Sequence, residues 1–318
     1  MMVNLKLLPI IKTLRTCRRE IVKSNTSLRY LLTTLLNVII TVAEFIGGFL
    51  SGSLALLSDA IHNLSDVGSI LLAFIANLIA KRKKNTRKTF GYERAETLAA
   101  FTNGVILIVI SLYLIFEACQ RFSNPEPIKG KLMFWVSMIG LAGNLISMLL
   151  MMKDAKGSLN AKAMFLNMAS DTLSSIAVVI GSVVIAVWNI TIVDPILTIL
   201  AAALLLREAF KVTIKAADIL MEGNPNVDLD QVKQIITSFS EVIHVHHVHV
   251  WQYSDDMIML DAHINVAKGM QAEDLDKLYN AIQDKLNKEL HISHVTLQAE
   301  CERGRNEKMI SSNSGIQQ

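Results

Sequence analysis

In SDAIHNLSDV, residues 58–67, His62 and Asp66 stand four residues apart, and Asp59 lies three before His62. On a helix all three project from one face. Further along, MFLNMASDTL at 164–173 spaces Asn167 and Asp171 by four, with Asn160 and Ser174 extending the same stripe. Both stretches repeat one pattern: a nitrogen-bearing side chain, three residues, then Asp preceded by Ser. One imidazole, two carboxylates and one amide oxygen make four donors, a tetrahedral set for a divalent cation. Imidazole with carboxylate suits Zn, Co, Fe or Mn, and the lack of cysteine argues against Cu(I). A proton relay through Asp and His, and polar glue between helices, are the competing readings.

The elements that must carry these residues are strongly apolar. Hydrophobic residues make up 52% of the 318, and mean hydropathy is +0.40. Six stretches approach the ~20 residues a membrane-spanning helix needs: about 29–51, 55–80, 96–119, 132–153, 159–187 and 192–214. The clearest, Thr97–Phe116 and Leu132–Met152, contain no charged residue. An ionisable group at membrane depth costs at least ~2.5 kcal/mol, so those in the second and fifth spans are expected to have a function. Weaker polar signals are Asn37, Thr41 and Glu44 on one face of the first span, Glu96 and Asn103 on the third, Asn144 in the fourth and Asp194 opening the sixth. Each reads as support, vestibule charge or cap. Glu44 is the costliest to bury, and with Asp59 it is a possible accessory to the cation site. Gly48 and Gly52 have the spacing of close helix packing.

Lys and Arg gather in the N-terminal tail (Lys6 to Lys23), in KRKKNTRK at 81–88 and at Lys153, Lys156 and Lys162. The links after spans one and five have neither. This asymmetry predicts a multi-pass cell-membrane protein with both termini cytoplasmic. Beside membrane spans the basic runs read as topology and lipid contact, not nucleic-acid binding. LLPII is too short for a cleavable signal peptide and is followed by Lys12. Cys17, Cys119 and Cys301 lack metal or disulfide spacing. The chain thus divides into a basic tail (1–28), a six-helix domain (29–214), a cytoplasmic domain (215–301) and a polar segment (302–318) expected to be disordered.

Within the third part, DLDQVKQIITSFS reads as a helix, VIHVHHVHVWQY and MIMLDAHINVA as strands, AEDLDKLYNAIQDKLNKEL as a helix and HVTLQAE as a strand. The order αββαβ makes a small α+β sandwich with helices on one face of a sheet. Seven of the eight histidines fall here: His244, His246, His247, His249, His263, His291 and His294. Strand alternation puts His244 and His246 on one face, His247 and His249 on the other. Their density favours metal binding over ordinary hydrogen-bonded histidine, without saying which of them bind.

Several motifs resemble the cation diffusion facilitators: SGSLALLSDAIHNLSD, FGYERAE at 90–96, SLNAKAMFLNMASD, LMEGNP at 220–225, HVHVW at 247–251 and HVTLQAE at 294–300. The resemblance covers about residues 28–300 in the family's order and is nearest the bacterial zinc, cobalt and cadmium efflux branch. It implies a homodimer, six spans per protomer and a ferredoxin-like cytoplasmic domain. It also implies export of a divalent metal, most often Zn²⁺, against protons. The family's transport site falls on His62, Asp66, Asn167 and Asp171, the positions that spacing singled out. Its cytoplasmic metal positions fall on His246, His263 and His294, with His249 close by, and there Zn²⁺ would act as a regulatory ion as well as a substrate. Two departures matter. Asn167 stands where zinc transporters usually have His, which predicts wider tolerance of Mn²⁺, Fe²⁺, Co²⁺ or Cd²⁺. Lys88 and Tyr92 stand where a second family site has histidines, so that site is not expected. A metal-gated channel and a membrane-anchored metal sensor are the rival classes. No nucleophile elbow, phosphate loop or HExxH argues for an enzyme.

Overall fold

The computed structural model describes residues 32–152, 159–254 and 257–310. The basic N-terminal tail, Lys153, Lys156 and the side chain of Asn160 lie outside the described residues. Six long helices come first: α1 (Leu32–Ser51), α2 (Leu54–Ala80), α3 (Arg94–Ser123), α4 (Gly130–Met152), α5 (Leu159–Trp188) and α6 (Val193–Leu220). The first five are long and apolar enough to cross a membrane. α6 has the length, but Asp194, Arg207, Glu208, Lys211 and Lys215 leave only residues 195–206 free of charge. The apolar pattern located all six, because charge and Pro/Gly-rich links mark where each run stops. By contacts the chain forms two compact units, one through residue 71 plus Asn103–Phe210, the other Leu72–Thr102 plus the residues from Lys211 onward.

The first unit is built with polar groups inside and apolar ones outside. Thr33, Asn37, Thr41 and Glu44 make the buried stripe of α1, while Leu35, Ile39, Val42, Ile46 and Phe49 point outward. In water such an exterior would aggregate; in lipid it is the solvated surface, and within the buried stripe Glu44 accepts from Asn63 of α2 while Thr41 donates back to the Asn37 carbonyl. α4 buries Gly130, Ser137, Gly140, Gly143, Asn144 and Ser147 along one side. A side chain at Gly140 would strike the Glu44 carboxylate, and one at Gly143 would strike Ile40. These small residues let α4 approach α1 closely. Gly48 serves the same purpose against Leu57. Gly52 does not: its φ of +77° ends α1, with the Gly52 and Ser53 amides both donating to the Gly48 carbonyl. The packing expected of Gly52 is therefore replaced by a left-handed helix stop.

The second unit contains α7 (Leu229–Thr237), β1 (Val242–Ser254), β2 (Met257–Val266), α8 (Ala272–Leu290) and β3 (His294–Glu300), the expected αββαβ order. The sheet runs β1-β2-β3, with β1 and β2 antiparallel and β2 and β3 parallel across α8. Asp228 caps α7 by accepting from the Asp230 and Gln231 amides. His291 closes α8 in a left-handed conformation, φ +57°, which is a structural role. Val232, Ile236, Val245, Val248, Val250, Leu260, Ala262, Ile264, Ile282 and Leu286 form the core between one sheet face and the two helices.

Two expectations fail here. Val245, Val248 and Val250 all face the core, which strict alternation forbids. The register shifts between His246 and His249, and His247 takes φ +51°. That bulge sets two residues of β1 against one of β2. It turns His247 and His249 to the same face as His244 and His246, where alternation had put them opposite. Residues 302–310 are also ordered, despite a composition typical of disorder. The Val248 amide donates to the Met309 carbonyl at 2.8 Å, His244 Nε2 to the Glu307 carbonyl at 2.9 Å and Asn265 Nδ2 to the Arg303 carbonyl at 2.8 Å. Sheet donors, invisible in local composition, hold the segment.

Candidate metal centre

α2 and α5 bring their polar stripes together. His62 Nε2 lies 3.3 Å from Asp171 Oδ1, and Asn167 Nδ2 donates to Asp66 Oδ2 at 2.7 Å and to Asp171 Oδ2 at 3.4 Å. One ligand atom each from His62, Asp66 and Asp171 lies within 4.8 Å of the others. The sequence-predicted four residues therefore form one group. Asp171 is 1% exposed, and its Oδ1 accepts no hydrogen bond among the described residues. The His62 ring 3.3 Å away is what faces this buried oxygen, and a cation or a proton between them would offset the cost of burying the carboxylate. His62 and Asp66 are only partly buried, so the group is reachable from their side.

The accessory residues have separate positions. Asp59 is buried one helical turn from the group, with Ser174 Oγ donating to its Oδ1 at 2.9 Å and Ser175 Oγ to its Oδ2 at 3.4 Å. Asn144 Nδ2 donates to Ser175 Oγ at 2.8 Å, so α4, α5 and α2 are linked through these side chains. Glu44 is 1% exposed and accepts from Asn63 Nδ2 at 2.9 Å. It is not brought to the His62 group. Asn63 was not foreseen, although a buried Glu44 needs a donor and Asn63 sits inside the same motif. Asp194 is a cap: Ser53 Oγ donates to it at 2.5 Å, and the Leu54 and Ala55 amides at 2.9 and 3.2 Å. It closes the α2 N-terminus from another helix, with Arg121 Nη1 at 3.7 Å. On α3, Glu96 accepts from Asn77 and Asn103 donates to Ser69.

A second group lies on the sheet face away from the core. His246 Nε2 is 3.3 Å from Glu300 Oε2, and His263 Nδ1 is 3.2 Å from Glu300 Oε1. These three also offer ligand atoms within 4.8 Å of one another. His246 Nδ1 and Glu300 Oε2 make no hydrogen bond among the described residues. Burial lowers the His246 pKa, against the opposing pull of Glu300, and a neutral ring keeps a lone pair for metal. Gly304 seats against this ring, where any side chain would overlap it.

His294 is not brought to this group. It pairs with Met259, while His263 pairs with Gln298 four residues along β3, about 13 Å away at ~3.3 Å per residue. His249 instead faces His247, with the Nε2 atoms 3.3 Å apart. Glu300 was missed, although it shares a strand face with His294 and ends a quoted motif. In the loop after α2, Asn85 Oδ1 accepts from the Arg87 and Lys88 amides, and Asn85 Nδ2 donates to Tyr92 Oη. Two other motifs meet through Arg94, which lies 3.3 Å from Glu222 and 5.0 Å over the Tyr253 ring; Tyr253 Oη donates to the Phe90 carbonyl at 3.2 Å.

Comparison with known proteins agrees with this architecture. Residues 30–221 match the family model described as the cation efflux transmembrane domain, and residues 224–302 match the cation efflux protein cytoplasmic domain. The chain is 39% identical over 264 residues to a cadmium, cobalt and zinc/H(+)-K(+) antiporter of Bacillus subtilis, covering 82% of this chain and 85% of the relative. It is 37% identical over 262 residues to the zinc transporter ZitB of Escherichia coli, covering 81% and 82%. It is 34% identical over 262 residues to the metal cation efflux system protein CzcD of Cupriavidus metallidurans, covering 81% and 82%. With both family models matched in order across most of its length, this multi-pass membrane chain belongs to the cation efflux family.

Proposed function

We infer that this chain exports divalent metal cations from the cytoplasm, Zn²⁺ foremost, in exchange for protons. The observation that carries the reading is the convergence of His62, Asp66 and Asp171 between two membrane helices, with the buried Asp171 Oδ1 facing the His62 ring at 3.3 Å. Relatives named for zinc, cobalt and cadmium transport support the substrate class.

Ligands bind metal only when deprotonated, so loading displaces protons from His62, Asp66 or Asp171, and protonation from the outer side expels the ion. Asn167 contributes at both stages. Its amide N–H group now bonds to both carboxylates, occupying the place of the cation. Turning the amide over presents Oδ1 instead, the fourth donor. Moving two charges outward against ~100 mV, negative inside, costs roughly 4.6 kcal/mol, and counter-moving a proton reduces that load. The neutral, harder amide in place of imidazole supports tolerance of Mn²⁺, Fe²⁺ and Co²⁺ beside Zn²⁺, and a relative named for cadmium transport supports Cd²⁺.

The basic links support cytoplasmic termini. The cytoplasmic domain is read as the homodimer contact, with His246, His263 and Glu300 as a regulatory metal group and exposed His294 left for a ligand across the dimer. Metal there would favour one arrangement of the paired domains by binding it more tightly. In liposomes carrying an internal pH dye, Asp171→Ala is expected to abolish metal-driven proton movement; antiport retained at the original rate would remove Asp171 from the site.

A further inference from the structure

The bulge in β1 creates an arrangement that neither metal group uses. His247 and His249 are two residues apart on the bulged strand, and their Nε2 atoms point at each other across 3.3 Å, with the rings nearly perpendicular at 84°. Two nitrogens held at ~2.05 Å on a tetrahedral ion stand about 3.3 Å apart. A hydrogen bond between two neutral imidazoles would draw them closer, since N–H donors prefer about 2.9–3.0 Å. The spacing therefore suits a shared cation better than a shared proton. His247 holds φ +51° to achieve it, an uncommon conformation for a residue with a side chain, and one that persists where surrounding structure enforces it.

The surroundings add a carboxylate and access. Asp261 is the cross-strand partner of His249, so its Cβ lies about 5 Å away on the same face. His249 is exposed and His247 and Asp261 are partly so. The buried group faces elsewhere: His263 directs Nδ1 to Glu300, while its ring lies tilted by 36° against His247 with centroids 4.6 Å apart.

We propose that His247 and His249, with Asp261 as the adjoining carboxylate, form a second, solvent-open site on the cytoplasmic domain for a borderline divalent cation such as Zn²⁺, Co²⁺ or Ni²⁺. The two imidazoles are the ligands already in place, the Asp261 carboxylate reaches the ion by turning about its side-chain bonds, and water fills the remaining position, as in open zinc sites. The site fills and empties faster than the buried group, because its ligands are reached without opening the fold. This inference stands apart from the transport reading.

The test uses the full-length protein in detergent, stripped of metal, titrated with Zn²⁺ against a chromophoric chelator and separately with Co²⁺ by visible absorption. His249→Asn is expected to bind one fewer zinc per chain and to lose part of the tetrahedral Co²⁺ band. His247→Asn, which keeps a residue tolerant of positive φ, is expected to do the same. Asp171→Asn is expected to retain this equivalent, so failure of the transport reading would leave it intact. His249 is exposed, and its replacement spares the core should the His247 variant misfold. A full complement of zinc and an unaltered Co²⁺ spectrum in His249→Asn would overturn the proposal and leave the 3.3 Å contact as a hydrogen bond.

Discussion

Asn167 is the residue that most distinguishes this site. An amide can donate or accept depending on which way it faces, whereas an imidazole would bring a titratable proton of its own. Here it donates to Asp66 and Asp171, holding the two acids together without a cation. Asn167→His would supply a softer, stronger ligand. It is expected to raise the preference for Zn²⁺ over Mn²⁺ by about tenfold, ~1.4 kcal/mol, measured as competition for uptake into vesicles. An unchanged preference would show that position 167 does not set selectivity. That His62, Asp66, Asn167 and Asp171 would come together was legible because membrane burial makes every charge conspicuous and helical spacing assigns its face. Glu300 and His247 were not, since a soluble strand tolerates polar residues freely and neither burial nor a bulge leaves a mark in composition.

At the level of elements, α2 must be fixed in depth and rotation if His62 and Asp66 are to meet α5. Asp194 contributes by capping the α2 N-terminus with two backbone amides and Ser53, while Arg121 lies within 4 Å of its carboxylate. Asp194→Ala would leave those donors buried and unmet and remove one of the carboxylates around Arg121, which also pairs with Glu126 at 2.9 Å. Destabilisation of about 1–3 kcal/mol is expected, read as earlier thermal unfolding in detergent, with Asp194→Asn falling between the variant and the original. Equal melting of all three would assign the cap no energetic role. The apolar runs announced the six helices closely, but the link from α6 to α2 could not be read, because it joins residues 139–141 apart in sequence. The sheet register failed for a related reason: period-two alternation holds only until a bulge resets it.

For the molecule as a whole, the cytoplasmic domain adds a pH dependence of its own. Burial lowers the His246 pKa below its ordinary 6.5, so the folded domain keeps the ring neutral where the unfolded chain would protonate it. The unfolded state then binds more protons as pH falls through about 6.5. Stability present above that value is lost as pH approaches the lowered folded pKa. Calorimetry of the metal-free chain is expected to show the cytoplasmic transition moving to lower temperature on mild acidification, and His246→Gln is expected to flatten that dependence. An equal shift in both proteins would place the titration elsewhere.

Whether α2 and α5 grip one ion together is tested most directly by anomalous diffraction from crystals of the Zn²⁺-loaded protein. A zinc peak is predicted among His62 Nε2, Asp66, Asp171 and Asn167 Oδ1, with the amide turned over and the Asn167–Asp66 hydrogen bond gone. Zinc bound only in the cytoplasmic domain, with that hydrogen bond intact, would contradict it.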